Sequence, residues 1–230
     1  MTPDARFLAL PWYRQFLLRL LPLFWLKAIG TTVFMTAFFT AYLHLLKNPA
    51  YAVTEMPLTA VDHWIVFNPS ALPAYLSLWL YTSLPPALMI EWRDLVRYGW
   101  SIGGVCLLGL VFFYWFPTAV PPAMVDWSMY PGFDFLKKID SAGNACPSLH
   151  VAAAVFSGVW LHRQLGELRA GRGALLVNAG WGVAILYSTL ATKQHVFLDL
   201  LAGLVLGLIG AWLSLRWITP SVLPATLATR

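Results

Sequence analysis

The stretch that decides the fold is residues 173 to 218, with the sequence GALLVNAGWGVAILYSTLATKQHVFLDLLAGLVLGLIGAWLSLRWI. It contains two apolar segments, 173 to 191 and 196 to 218, separated by a short polar turn. Each segment has roughly the 20 apolar residues that a helix needs to cross the hydrocarbon layer of a bilayer. A helix satisfies its backbone hydrogen bonds internally, which lipid requires. The stretch therefore predicts two membrane-spanning helices joined by a tight polar turn.

Apolar segments of similar length recur through the rest of the chain. Of the 230 residues, 59% are hydrophobic and 11% are charged, against roughly 25% charged residues in an average soluble domain. Together with the two segments above, we expect six spans, at residues 23 to 46, 72 to 90, 99 to 116, 148 to 165, 173 to 191 and 196 to 218. The predicted fold is all-α, a polytopic membrane protein in which a single domain, residues 1 to 230, forms a six-helix transmembrane bundle.

The basic residues predict how this bundle is oriented. With the N-terminus inside, the inner segments hold 11 of the 15 basic residues and every arginine, and the outer segments hold only Lys47, Lys137, Lys138 and Lys193. Cytoplasmic segments are enriched in lysine and arginine. Both termini are therefore predicted to be cytoplasmic, with residues 1 to 22 as an amphipathic lead-in. The same rule accounts for the net charge of +5, so a nucleic-acid partner is not expected.

Two histidines mark the outer ends of two predicted spans. His195 precedes Asp199 by four residues, a spacing at which the carboxylate can accept a hydrogen bond from one imidazole nitrogen and orient the other. A second cluster, Pro147-Ser148-Leu149-His150, opens the fourth span. Helix N-termini bind phosphate through their amides and dipole. The two clusters favour an anionic ligand at the outer face, although a pair of ordinary cap or interface histidines remains an open alternative.

Other outer residues give weaker signals. Lys137 and Lys138 precede the second cluster and predict a local anion site. The first outer connection, residues 47 to 71, has the aromatic and polar mixture of an interfacial segment and predicts no function. Cys106 and Cys146 are expected to be free thiols, because a disulfide would have to join a buried helix to an outer loop.

The polar clusters resemble the signature motifs of a known family. Pro147-Ser148-Leu149-His150, followed by Ser188 and then by His195 and Asp199 with three residues between, resembles the last two motifs of the type 2 phosphatidic-acid phosphatase superfamily. The resemblance covers roughly residues 110 to 215. Leu149, where many members have glycine, and the run Lys193-Gln194-His195 are similar to the branch of inositolphosphorylceramide synthases and related bacterial lipid phosphatases.

The chain also departs from the family pattern. The family usually has an arginine directly after the serine of its last motif, where this chain has Thr189. The lysine and arginine of its first motif are absent before Pro147. The resemblance then implies that other cations bind the phosphate, with Lys193 first and Lys137 or Lys138 next. The remaining candidates for phosphate binding are Ser148, Leu149, Ser188 and Asn144.

The resemblance implies a metal-independent lipid phosphatase of the bacterial inner membrane, with its active site facing the periplasm or exterior. His195 would be the nucleophile that forms a phosphohistidine, Asp199 would orient it, and His150 would be the general acid and then the base. No cofactor is expected, and no metal, because the outer carboxylates lack ligand-like spacing. The expected substrate is a lipid phosphate or pyrophosphate.

Three other functions remain open. A lipid phosphotransferase would use an alcohol instead of water to resolve the phosphohistidine. A lipid transporter would need ionisable groups along a path through the spans, whereas here the polar groups crowd at one face. An inactive relative that binds lipid or organises partners would fit the missing arginines.

Overall fold

A computed structural model describes residues 9–130, 132–133 and 143–217, and this part of the chain is mainly helical. The α-helices are α1 (Trp12–Leu20), α2 (Phe24–Lys47), α3 (Ala60–Trp64), α4 (Leu72–Leu76), α5 (Leu78–Ala87), α6 (Trp92–Trp115), α7 (Leu149–Glu167), α8 (Arg172–Ala191) and α9 (Phe197–Trp217). Two short strands, β1 (Thr54–Glu55) and β2 (Thr118–Ala119), and two 3-10 turns, Pro69–Ala71 and Trp127–Met129, complete the described elements. The all-α prediction is confirmed. Four of the described helices, α2, α6, α8 and α9, are long and apolar enough to cross a membrane.

Two predicted spans differ from the helices observed. The segment 72 to 90 forms α4 and α5 rather than one helix, with Ser77 at their junction. Pro85 and Pro86 lie in α5, where they remove backbone N–H donors and bring the helix to an end. The span expected at 99 to 116 begins earlier, at Trp92, because the charged residues before it form the first turns of α6. Among them, Arg97 lies 3.8 Å from Asp94.

Helix α7 lies at the centre of the bundle. It packs against α5, α6, α8 and α9, and several of its polar side chains are buried against protein. Trp160 Nε1 on α7 donates to Ser214 Oγ at 3.2 Å, and Gln164 Nε2 donates to the carbonyl of Pro85 at 2.9 Å. A buried polar group is tolerated when it is hydrogen-bonded. Contact with four helices therefore explains why α7 is less apolar than the helices around it.

Helices α7 and α9 approach each other through glycines. A Cβ added at Gly203 would lie 2.3 Å from the backbone oxygen of Ser148, and one at Gly207 would lie 2.6 Å from that of Ala152. Small residues four apart let two helix backbones come this close. Because both contacts advance by four residues, α7 and α9 run in the same direction. Their first turns therefore lie side by side, at what we call the motif end of the bundle.

Loop segments are joined at the motif end. Strands β1 and β2 pair in parallel, and Ala119 bridges Gly143 in antiparallel fashion. Thr118 accepts hydrogen bonds at its carbonyl from the Ala145 amide, 3.1 Å, and at its hydroxyl from the Cys146 amide, 2.8 Å. These bonds fix the backbone immediately before the Pro147 to His150 motif.

The opposite end of the bundle is closed by α1. Lys27 Nζ donates to the carbonyl of Arg19 at 2.9 Å and to that of Ala87 at 2.6 Å. Arg19 also lies 3.7 Å from Glu167, at the end of α7. The N-terminal lead-in is therefore packed on the bundle by its polar residues.

Candidate active site

His195 and Asp199 are in contact, as their spacing predicts. The Nδ1 atom of His195 lies 3.1 Å from Oδ2 of Asp199. The other carboxylate oxygen accepts the Val196 amide at 3.0 Å, and Asp199 is completely buried. Both oxygens of the carboxylate are therefore fixed, which sets the orientation of the imidazole ring. A carboxylate held in this way stabilises a positive charge on the ring.

His150 comes to the same place from the start of α7. Its ring centre lies 6.1 Å from that of His195. It stacks on Tyr75 at 4.2 Å with an interplanar angle of 18° and is hydrogen-bonded to the Tyr75 backbone. Its Nε2 is buried and has no hydrogen-bond partner within the described part of the chain. Buried polar atoms are normally satisfied, so Nε2 of His150 is a hydrogen-bonding atom that the described fold leaves unused near His195.

The first turns of α7 and α9 contact each other next to the two histidines. Ser148 is the N-cap of α7, with its hydroxyl oxygen accepting the Val151 amide at 3.2 Å. Its own amide donates to the carbonyl of Asp199 at 3.0 Å, which joins the two helix starts directly. Leu149 is the first residue of α7. Two parallel helices that begin together direct the positive ends of both dipoles to one spot, which favours an anion there.

The hydroxyls of the turn before His195 are bonded to their own helix. Ser188 Oγ donates to the carbonyl of Ile185 at 2.6 Å, and Thr189 Oγ1 donates to that of Leu186 at 2.7 Å. The backbone oxygen of Thr189 accepts the amides of Gln194 and His195. Both hydroxyl residues are completely buried. The structure thus places Ser188 and Thr189 in the framework of the turn, and a phosphate contact by Ser188 stays a prediction.

The side chain of Lys193 is bonded to the first outer connection. Its backbone is left-handed, with a φ of 57°, and its ammonium donates to the carbonyl of Asp62 at 3.0 Å and to that of Ile65. Burial lowers the pKa of Lys193, and the nearby Asp62 opposes that shift. An ammonium has three N–H donors, of which these carbonyls occupy two. Phosphate binding by Lys193 stays a prediction, with the side chain anchored on the first outer connection.

The remaining residues predicted to bind phosphate are Asn144, Lys137 and Lys138. Asn144 is buried, and its Nδ2 donates to the carbonyl of Tyr42 in α2 at 3.1 Å. Its observed contact is therefore with the helix framework. Lys137 and Lys138 lie outside the described residues. Cys146 is half-buried and free of disulfide, as expected, and burial together with the Asp199 charge raises its pKa.

Sequence reasoning missed two residues that contact the site. Tyr75 supports the ring of His150, and Asp62 Oδ1 accepts the backbone amide of Phe197 at 2.7 Å. Thr59 and Asp62 have the spacing of a capping box, which is the signal that could have identified the start of α3. No local pattern connects Asp62 with Phe197, because the two are 135 residues apart.

Comparison with known proteins identifies the family. The sequence profile of the PAP2 superfamily matches residues 95–222, which is more than half of the chain and includes most of α6 and all of α7, α8 and α9. No curated protein and no solved structure matches the chain significantly. PAP2 members are generally phosphatases, and the match suggests phosphatase or phosphotransferase activity on phosphorylated substrates. Since the matched region contains both histidines and their helix starts, the chain belongs to the PAP2 superfamily.

Proposed function

We propose that the protein is an integral-membrane lipid phosphatase that hydrolyses a phosphate monoester or pyrophosphate through a phosphohistidine. One observation carries the proposal. The oriented His195–Asp199 pair lies beside the unpartnered Nε2 of His150, where two parallel helices of a PAP2 protein begin. A nucleophile, a proton donor and the positive ends of two helix dipoles thus come together at the motif end, the set of groups that phosphoryl transfer uses.

In the first proposed step, His195 Nε2 attacks phosphorus in line, because Nδ1 is engaged by Asp199. A P–N bond forms while the bond from phosphorus to the leaving oxygen breaks. His150 gives its Nε2 proton to that oxygen, a contribution typically of about 10²- to 10⁴-fold. Asp199 stabilises the positive charge that develops on the ring of His195.

In the second proposed step, water resolves the phosphohistidine. His150, now neutral, takes a proton from the water while its oxygen attacks phosphorus and the P–N bond breaks. Inorganic phosphate leaves, and His195 and His150 return to their starting protonation states. The first-turn amides of α7 would stabilise the equatorial oxygens, an electrostatic effect for which one donor is commonly worth about 10²- to 10³-fold. Lys193 is the candidate cation among the described residues.

The proposal includes six spans with the motif end at the outer surface. Support comes from the arginines, which all lie in segments that this orientation puts inside. The helices around α7 expose large apolar side chains, among them Trp100, Leu107 and Ile209, as lipid contact requires. A substrate anchored in that lipid would present its phosphate at the level of the helix starts.

The test is phosphate release by purified protein in detergent micelles. The substrates are phosphatidic acid, phosphatidylglycerol phosphate and undecaprenyl pyrophosphate, each with EDTA present, because the mechanism needs no divalent ion. His195→Ala is expected to reduce the rate by at least about 10³-fold, whereas His63→Ala, an exposed histidine on α3, keeps it. Equal activity in His195→Ala rules out the nucleophile. A lipid alcohol added to the assay separates hydrolysis from transfer.

A further inference from the structure

Helix α9 carries Asp199 in its first turn but has no capping side chain at its N-cap position. The carbonyl of Val196 accepts the first hydrogen bond of the helix, from the Leu200 amide, so Val196 is the N-cap residue. Serine, threonine, aspartate and asparagine serve there because their side chains accept first-turn amides. A valine side chain accepts none. The start of α9 therefore depends on acceptors from elsewhere.

Asp62 supplies one of these acceptors from the first outer connection. Its Oδ1 accepts the amide of Phe197, the first residue of α9, at 2.7 Å. Its Oδ2 accepts both the amide and the hydroxyl of Thr59 at 2.8 Å, which caps α3. The carboxylate is buried, so three donors compensate its loss of water. A single side chain thus caps two helices, one of which holds the catalytic carboxylate.

Two further contacts attach the same segment to the turn before His195. Lys193 donates to the carbonyls of Asp62 and Ile65, and the Asn68 amide donates to the carbonyl of Ala191 at 2.9 Å. The turn from Ala191 to Phe197 is therefore held at its beginning, middle and end. His195 lies between the last two of these attachments.

We infer that Asp62 is a positioning residue for the nucleophile, acting through the start of α9 on the His195–Asp199 pair. The inference rests on the proposed function and extends the active site beyond residues 95–222, the part that matches the family. Without Asp62, the first turn of α9 loses its acceptor at Phe197, and the carboxylate that orients His195 loses a fixed backbone. Small displacements of a reacting group are costly, up to about 10²-fold for 1 Å.

The experiment compares Asp62→Ala, Asp62→Asn and the matched control Asp126→Ala, which removes an exposed carboxylate whose hydrogen bonds, within the described residues, are to neighbouring Ser128. Asp62→Ala is expected to lower kcat about 10-fold with KM changed less than about 2-fold. Asp62→Asn restores part of kcat, because its amide oxygen can still accept the Phe197 amide although its NH2 group cannot accept the Thr59 amide. Asp126→Ala keeps both constants. Loss in Asp126→Ala equal to that in Asp62→Ala, or no recovery in Asp62→Asn, overturns the inference.

A double-variant cycle tests whether the effect passes through Asp199. In an Asp199→Ala background, adding Asp62→Ala is expected to cost less than about 2-fold, because the pair that it positions is already broken. A second 10-fold loss there contradicts the positioning role.

Hydrogen exchange tests the contact without any substrate. The peptide covering residues 192 to 199 is expected to exchange faster in Asp62→Ala than in the wild type or Asp126→Ala. Unchanged exchange overturns the inference even if the protein is an active phosphatase. If Asp62→Ala exchanges faster but the wild-type protein releases no phosphate, the contact is supported and the proposed function is contradicted. Failure of the inference and failure of the proposed function are therefore distinguishable.

Discussion

The starts of α7 and α9 lie side by side but are built in different ways. Helix α7 is capped by Ser148, the residue immediately before it. Helix α9 has Val196 at that position and uses Asp199 from its own first turn and Asp62 from 135 residues away. One start is encoded in a four-residue motif, whereas the other is assembled by tertiary contact. The proposed catalytic site, which is formed from both, therefore depends on a segment that its motifs do not contain.

The largest loss of activity that tests this comparison is expected from substitution of His150, on α7. His150→Ala should slow hydrolysis of a lipid phosphate by about 10²- to 10⁴-fold, because the leaving alkoxide loses its proton donor. An aryl phosphate, whose leaving group needs no proton, should lose much less. The measurement is the ratio of kcat/KM for the two substrates in variant and wild type. An equal loss on both would show that His150 does not act as the general acid.

The next largest loss of activity is expected at the glycine contact that holds the starts of α7 and α9 together. Gly203→Ala places a Cβ 2.3 Å from the Ser148 carbonyl oxygen, so α7 and α9 must separate, and we expect a loss of roughly 10²-fold in kcat. Gly180→Ala on α8 is the matched control, because its Cβ meets nothing within 4 Å. Activity is measured on protein that remains monodisperse in detergent. Full activity in Gly203→Ala would mean that the separation of the helices does not matter.

A smaller effect, on stability, is expected from removing the Ser148 cap of α7. Ser148→Ala removes the acceptor of the Val151 amide and should cost about 1 kcal/mol of stability, seen as a lower Tm in detergent. Ser128→Ala removes a hydroxyl in an exposed turn and serves as the control. If the two variants have the same Tm, the start of α7 does not depend on Ser148.

The smallest effect is a change of reactivity at Cys146, which precedes α7. Burial and the charge of Asp199 raise the pKa of its thiol, so in a Cys106→Ser protein the rate of maleimide labelling should still be rising at pH 9. Asp199→Asn removes the charge and should shift this rise to lower pH. A labelling rate that levels off below pH 8, or one that ignores Asp199→Asn, would contradict an ionised Asp199 beside Cys146.

Regular patterns made much of the fold predictable. The spans expected at 23 to 46, 173 to 191 and 196 to 218 match α2, α8 and α9 within a residue or so at each end, because a lipid-facing helix must be continuously apolar. The break between α4 and α5 at Ser77 was not predicted. The helix-breaking residues of this segment are Pro85 and Pro86, whereas Ser77 is held by a tertiary contact, the hydrogen bond that it accepts from Trp181 at 2.8 Å.

The site was predictable only where its contacts are local. The spacing of His195 and Asp199 predicts their hydrogen bond, and the motif at 147 to 150 predicts the start of α7. The direction of the Lys193 side chain was not predictable, because its partners are backbone carbonyls in another segment, which no side-chain pattern reveals.

The most direct test of the account is to trap the phosphoenzyme. Purified protein is mixed with a ³²P-labelled aryl phosphate, whose leaving group needs no proton, quenched in alkali within one turnover and mapped by mass spectrometry, with His150→Ala used to slow the second step. The account predicts an acid-labile, alkali-stable phosphoryl group on His195 that is absent from His195→Ala. Label on another residue, or rapid hydrolysis by His195→Ala, would contradict it.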